Sequence, residues 1–225
     1  MNRILLPNPL PRPSIEHPPI PSHMPTDDDL QLGIFFHEAN ALEWATYHLS
    51  ISAASGNPVG LVLFAISLRH GWGVVKDETR AYQLLEDTTR LITMSINVPM
   101  APKDNQRPLT PDQMPTEVTL PTGFETLRTH RNIAKHQLTL AIYELAMSYR
   151  QGWGVAQSSV NAAYYLQLAA QLGDGEAMVQ LAECYERGDG VKKDKKLAAK
   201  WFREGEKLGI RLVGMQWIHK EKYLS

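Results

Sequence analysis

Cysteine is almost absent: Cys184 stands alone in 225 residues. A single thiol excludes an intramolecular disulfide and any cysteine-cluster zinc site, and points to a reducing compartment. Net charge is equally scarce. The 23 Lys and Arg against 24 Asp and Glu leave a formal charge of −1, which offers no electrostatic basis for holding nucleic acid or an anionic membrane surface. No stretch approaches the roughly 18 consecutive apolar residues of a membrane helix, so direct membrane insertion is not expected. Residues 1–25 lack the apolar centre of a secretory signal. Arg3 and Arg12, with no early acid, give the charge of a mitochondrial presequence, but Pro7, Pro9, Pro11 and Pro13 would break its amphipathic helix. The expected location is the cytosol, with the nucleus the next choice ahead of the mitochondrion.

Signatures of catalysis are missing too. The histidines, at 17, 23, 37, 48, 70, 130, 136 and 219, include no His-Glu-x-x-His, and His130 and His136 are spaced for different helical faces. No Gly-x-Ser-x-Gly elbow occurs. Gly71-Trp72-Gly73 and its echoes lack the third glycine and basic residue of a phosphate cradle. Cys184 falls on the expected buried side of a helix, where a thiol is inert filler, and Glu183 and Glu186 read as a solvated face. Neither catalytic residue, metal nor cofactor is expected, and the chain is not read as an enzyme.

What is present is a repeat. Gly71-Trp72-Gly73-Val74, Gly152-Trp153-Gly154-Val155 and Gly188-Asp189-Gly190-Val191 are three copies of one hinge, the last two separated by 36 residues. That period lies within the roughly 20–50 residues of solenoids and arrays. From Gly71 to Gly152 the distance is 81 residues, so this interval holds an insertion. Before each first glycine, five offsets carry matching residues: Gly60, Ala141 and Ala177; Leu61, Ile142 and Met178; Phe64, Leu145 and Leu181; Ala65, Ala146 and Ala182; Leu68, Tyr149 and Tyr185. These trace one apolar stripe along a helix A, with small residues where a neighbour comes close. After each hinge, Ala81, Ala162 and Ala198 are followed by Leu84, Tyr165 and Trp201, then Leu85, Leu166 and Phe202, then Thr88, Ala169 and Gly205, the face of a helix B. Gly173 and Gly209 stand where helix B should end, and Gly56 marks the end of an earlier, degenerate helix B carrying Ala45, Leu49 and Ala53. The first hinge glycine is expected to cap helix A in a left-handed conformation, the second to let the chain double back. Asp77, Asp194 and, in the middle copy, Ser158 or Ser159 are placed to cap helix B.

Around the repeats lie segments of different character. Residues 1–26 hold eight prolines and read as a disordered, Pro-rich tail; Pro18 to Pro21 has a bare PxxP spacing, leaving a docking ligand as the alternative to a spacer. Asp27, Asp28 and Asp29 offer N-cap oxygens for the helix that follows. Residues 27–225 form the repeat domain, interrupted by a Pro-rich loop at 97–121 that is either a spacer or a regulated binding loop with a phosphate acceptor at Thr110-Pro111. Thr122 and Glu125 fit a capping box, so a long helix with Phe124, Leu127 and Ile133 in its early turns is expected to start near Gly123. The segment Leu212 to Tyr223, with Val213, Trp217 and Ile218, reads as a capping helix.

Helix pairs joined by Gly-x-Gly-Val, with B helices ending in Leu-Gly, resemble the Sel1-like repeat, a relative of the tetratricopeptide repeat; the likeness covers residues 40–209 apart from the insertion. More narrowly, Ser67-Leu68-Arg69-His70-Gly71-Trp72-Gly73, Leu140-Ala141-Ile142-Tyr143-Glu144-Leu145 and the ending Trp217-Ile218-His219-Lys220-Glu221-Lys222-Tyr223-Leu224 are similar to fungal Sel1-repeat proteins, which include a mitosis inhibitor thought to act through a protein kinase of mitotic entry. The resemblance implies a protein-binding scaffold without catalysis. The expected fold is an all-α, right-handed α-solenoid of about three Sel1-like helix-turn-helix repeats with capping helices. Its expected partner is a protein or peptide, a cell-cycle or signalling kinase in particular. The competing reading is an accessory or assembly subunit of an enzyme or membrane-associated complex. Contact candidates on helix A are Tyr143, Glu144, Ser148, Arg150, Glu183 and Arg187. Trp72 and Trp153 share one hinge position and either pack on the adjacent repeat or stand out as anchors, tryptophan being enriched at interface hot spots.

Overall fold

The computed structural model describes residues 6–22, 25–95, 98, 100–101, 107–110, 113–115, 131–211 and 213–224. Among the described residues eight α-helices follow one another: α1 (Asp29–Glu38), α2 (Leu42–Ala54), α3 (Pro58–His70), α4 (Glu78–Ser95), α5 (Arg131–Gln151), α6 (Ser159–Gln171), α7 (Gly175–Arg187) and α8 (Lys195–Lys207). Among the described residues the nearest thing to a strand is one isolated parallel bridge between Leu109 and Val191. The chain divides into two compact units, residues 1–88 and 89–225.

The expected stripes are the core. Every aligned helix A position is buried, with Phe64, Leu145 and Leu181 at zero exposure. Helix B does the same through Leu85, Leu166 and Phe202; among its aligned positions only Trp201 stays half-exposed. Burying each such Leu or Phe stabilises by roughly 1.5–3 kcal/mol. The small residues earn their place by proximity: a Cβ on Gly60 of α3 would lie 2.8 Å from the Ala53 backbone nitrogen of α2.

The hinge repeats atom for atom. Gly71, Gly152 and Gly188 have φ of 73°, 77° and 83°, the left-handed region that closes a helix. The carbonyl oxygens of Ser67, Ser148 and Cys184, four residues earlier, each accept from the first glycine and from the residue after it. Then the N–H of Asp77, Ser158 and Asp194 donates back to the carbonyls of Leu68, Tyr149 and Tyr185 at 2.8, 2.9 and 2.9 Å, which folds the second helix onto the first. Those same three residues cap helix B: Asp77 Oδ1, Ser158 Oγ and Asp194 Oδ1 each accept a first-turn N–H. The second glycine has a more demanding role than reversal of the chain. A Cβ on Gly73 would sit 2.1 Å from the Leu42 carbonyl oxygen, and one on Gly190 2.0 Å from that of Ser159. The first and third hinges therefore rest backbone to backbone on the first turn of the helix before them, α2 and α6.

Helix B ends at glycine where glycine is present, with φ of 81° at Gly56, 99° at Gly173 and 87° at Gly209. The first full repeat has Ile92 at that offset, and α4 runs on to Ser95, 18 residues against 13 for α6 and α8. Of the three aspartates at the start of α1, Asp28 is the cap, accepting from Gln31 N–H at 3.0 Å. Asp29 is used elsewhere: its Oδ1 lies 2.7 Å from Nδ1 of the buried His48.

The C-terminal cap is two 3-10 turns, Gln216–His219 and Glu221–Tyr223, in place of one continuous helix. Lys220 between them is extended, and Arg203 of α8 donates to the carbonyls of Ile218 (2.6 Å) and Tyr223 (3.0 Å), taking the Ile218 oxygen that a continuing helix would use itself. Trp217 covers Phe202 edge-on at 6.1 Å.

The Pro-rich segments have partners. In the first unit Leu10 N–H donates to Ser50 Oγ at 2.9 Å, Trp44 Nε1 donates to the Glu16 carbonyl at 3.1 Å, and Ile20 packs on the cluster of Leu32, Phe36, Trp44 and Ala45. In the second, Leu109 pairs with the α7–α8 hinge, its N–H donating to Gly190 and its carbonyl accepting from Lys192. Gln171 Nε2 donates to the Pro115 carbonyl, and Met114 is buried. Thr110 is exposed, with its hydroxyl and N–H both directed at Gln113 Oε1. Thr122, Gly123, Phe124, Glu125 and Leu127 lie outside the described residues, as do Pro111 and the side chain of Ile133.

Candidate functional site

The hinge carries its second residue outward, because the left-handed glycine before it turns the chain away from the helix axis. In the first unit Trp72 lines a cavity of about 310 Å³ together with Gly33, Ile34 and His37 of α1, Leu49 of α2, and Leu63, Ile66 and Ser67 of α3. Most of that wall is apolar. The indole is half-buried between two histidines, stacked on His70 at 4.7 Å and 18° and tilted against His37 at 5.1 Å. Trp72 packs on His37 of the neighbouring α1 and also lines the cavity. Its carbonyl accepts from Thr46 Oγ1 at 2.6 Å, fixing the hinge to α2. Ile34 on the rim is among the exposed large apolar residues.

The second unit has the same pair of helix A elements, α5 and α7, but joins them with polar groups. Tyr143 Oη accepts from Gln180 Nε2 at 2.7 Å, and Gln180 Oε1 accepts from Arg150 Nη1 at 2.6 Å. Arg150 Nη2 reaches Glu183 Oε2 at 3.5 Å, and Glu183 also meets Arg187 at 3.8 Å. Tyr143, Arg150, Glu183 and Arg187 thus form one ladder. Burial, with the carboxylates of Glu144, Asp174 and Glu176, pushes the Tyr143 hydroxyl up to about 12, so it remains a neutral hydrogen-bonding group. Glu144 is half-buried in the turn before, and Ser148 is buried, its hydroxyl donating to the Glu144 carbonyl at 2.9 Å inside the helix. Ser148 offers nothing to a partner. The alignment holds the signal for that: its offset carries Ser67, Ser148 and Cys184, three small residues, and Ser67 makes the same bond to Leu63. Gln180, the rung at the centre of the ladder, was missed because no other copy has an amide at its offset. Trp153 occupies the Trp72 position in the middle hinge, half-buried, its N–H donating to Ser148.

Cys184 is buried, and burial pushes its thiol up to about 11. Among the described residues no group of three or more His, Cys, Asp or Glu is arranged to hold a metal ion, and no helix is long and apolar enough to cross a membrane.

Helix pairs closed by a left-handed glycine define a helical-repeat protein. More narrowly, three stretches of the chain match the Sel1 repeat family model: residues 63–86, 139–174 and 175–210. Protein DSF2 of Saccharomyces cerevisiae is 28% identical over 209 residues, covering 91% of this chain and 26% of that protein. Mitosis inhibitor nif1 of Schizosaccharomyces pombe is 24% identical over 199 residues, covering 88% of this chain and 28% of that protein. The chain thus spans roughly a quarter of the length of these curated relatives. The crystal structure of a protective antigen of uropathogenic Escherichia coli displaying an SLR fold superposes with a TM-score of 0.57 at 17% identity, over 81% of this chain and 30% of that one, and shows the fold.

Proposed function

We propose that the chain is a non-enzymatic interaction scaffold that holds a protein or peptide segment on its helix A faces. The observation that carries this reading is the groove at Trp72: an open, largely apolar cavity lined by an aromatic and a few polar groups is the usual form of a binding site. Glu38 and His37 supply the polar groups, while Leu63 and Ile66 supply apolar wall. The ladder from Tyr143 to Arg187 is the second contact surface, polar and half-exposed, suited to fixing orientation. The partner is a signalling protein of cell-cycle control, a protein kinase first, a reading supported by the 24% identity to a mitosis inhibitor.

The test is affinity capture from fungal lysate with quantitative mass spectrometry, using the intact chain, Ile34→Glu, which charges the groove rim, and Val213→Glu, a change at a fully solvated position. A kinase captured by the intact chain and by Val213→Glu but reduced at least tenfold by Ile34→Glu supports the proposal. Equal capture by all three discards the groove. Capture of a metabolic enzyme complex, at constant stoichiometry and insensitive to Ile34→Glu, favours the accessory-subunit reading instead.

A further inference from the structure

The end of the first unit that α1 and α2 present to residues 6–22 is lined by rings. Trp44 and, one turn on, Tyr47 and His48 lie on α2, with Phe36 of α1 beside them, and Trp44 packs edge-on to Tyr47 at 5.7 Å. Into this floor the Pro-rich segment sets three groups. Arg12 lies over the Trp44 ring with its guanidinium carbon 5.4 Å from the centroid. The His17 ring meets Trp44 at 4.4 Å and Phe36 at 5.1 Å, both edge-on. The Glu16 carbonyl accepts the Trp44 indole N–H at 3.1 Å. A proline-rich chain lying extended over aromatic rings, with an indole N–H donating to its carbonyl, is how polyproline segments are recognised generally, since their backbone is free of internal hydrogen bonds and its carbonyls are available.

We infer that the Trp44, Tyr47 and Phe36 surface is a receptor for arginine-bearing proline-rich segments, filled here by the chain's own Leu10-Pro11-Arg12-Pro13 to Ile20. This goes beyond the Trp72 groove, which stands on other faces of α1 and α2. Three observations say that the occupant is exchangeable and of this chemistry. Its hold is confined to points: Arg12, Ser14, Ile15 and Glu16 are exposed, Ile20 packs on the apolar cluster, and the two described hydrogen bonds between the segment and α2 are those at Ser50 and Trp44. A seam of about 250 Å³ remains beneath it, between Leu10 to Ser14 on one side and Glu43, Tyr47, Gly73 and Val74 on the other. Glu43, exposed on that wall, gives the negative charge that suits an incoming arginine. The segment is tethered only a few residues before α1, so its local concentration is millimolar or above and it excludes weak ligands until loosened.

The experiment uses the full chain, intact and as the Arg12→Ala, His17→Ala double variant, with a fluorescein-labelled peptide of residues 8–22 followed by anisotropy. The double variant is expected to bind the peptide at least tenfold more tightly than the intact chain, because the competing strap has lost its two ring contacts. In 15N spectra the Trp44 indole resonance should move in the double variant and return when peptide is added. A peptide with Pro11, Pro13 and Pro18 replaced by alanine should bind at least tenfold more weakly. Equal affinity for the intact and double-variant chains, or no binding to either, shows a permanent end cap and overturns the inference. Equal affinity of the proline-free peptide overturns the assigned chemistry. If the double variant loses helicity, excess peptide on the intact chain gives the same decision: resonances of residues 8–22 sharpen on displacement, and their constancy refutes it. None of these outcomes depends on the Trp72 groove, and Ile34→Glu should leave peptide affinity unchanged.

Discussion

Gly190→Ala and Gly209→Ala form a pair that separates two costs glycine avoids. Both residues have left-handed φ, 71° and 87°. A β-carbon at 209 would meet nothing within 4 Å, whereas at 190 it would lie 2.0 Å from the Ser159 carbonyl oxygen and 2.4 Å from its carbon. Alanine at 209 should therefore cost the conformational term alone, about 1–2 kcal/mol, reduced by the entropy that alanine removes from the unfolded chain. At 190 the hinge must also back away from α6. Overpacking of this kind adds about 1–3 kcal/mol, and the displacement pulls the Gly190 carbonyl from Leu109 N–H, now 3.0 Å away. The expected total is about 2–5 kcal/mol. At about 2–4 °C per kcal/mol for a chain of this size, Gly190→Ala should melt roughly 2–12 °C below Gly209→Ala. Urea unfolding followed by circular dichroism measures both, and an unchanged m-value keeps the comparison within two-state arithmetic. If the two variants agree within about 0.5 kcal/mol, the backbone contact between hinge and helix is not tight, and the role assigned to the second glycine fails.

Stability should fall as pH rises from about 9: the unfolded thiol of Cys184 ionises near its ordinary value while the folded one waits until about 11, so the unfolded state loses the proton first. Tyr185, raised to about 12, extends the loss upward, and Cys184→Ala should flatten the first part of the curve in urea titrations at stepped pH. Arg150→Met removes the donor between Gln180 and Glu183 and should cost about 1–2 kcal/mol, whereas Glu183→Gln, which leaves that amide bond intact, should cost under about 0.5 kcal/mol; equal losses would refute the ladder as drawn. Gly60→Ala should destabilise despite alanine's better helix propensity, because it meets backbone of α2, while Gly205→Ala, whose nearest neighbour is the Val179 Cγ2 at 3.0 Å, should fall within about 1 kcal/mol of neutral.

The repeat was legible because its determinants are periodic. Helix A and B stripes, glycine stops and cap residues recur at fixed offsets, and the aligned positions do the job their offset implies, apart from the half-exposed Trp201 and the missing glycine stop of α4. The second-glycine contact was only half legible: the sequence shows that glycine is needed, but the atom it must avoid belongs to the preceding helix. Legibility failed where contacts join residues at unlike offsets. Arg150 and Gln180 face each other from α5 and α7 without any shared pattern, and Asp29 reaches His48 across 19 positions. The proline-rich stretches have no period at all, so composition describes their backbone and is silent on what Trp44 or Gly190 offers them. The C-terminal turns depend on Arg203, one side chain intercepting one carbonyl.

Because the hinges at Gly73 and Gly190 abut the helix behind them through main-chain atoms, the spacing of α3 from α2 in the first unit, and of α7 from α6 in the second, has the character of a mechanical stop. Side-chain packing yields by rotamer changes; a carbonyl oxygen against an α-carbon does not. Within each unit, substitutions on the solvated side of α3 or α7 then leave the register of that helix on its neighbour where it was.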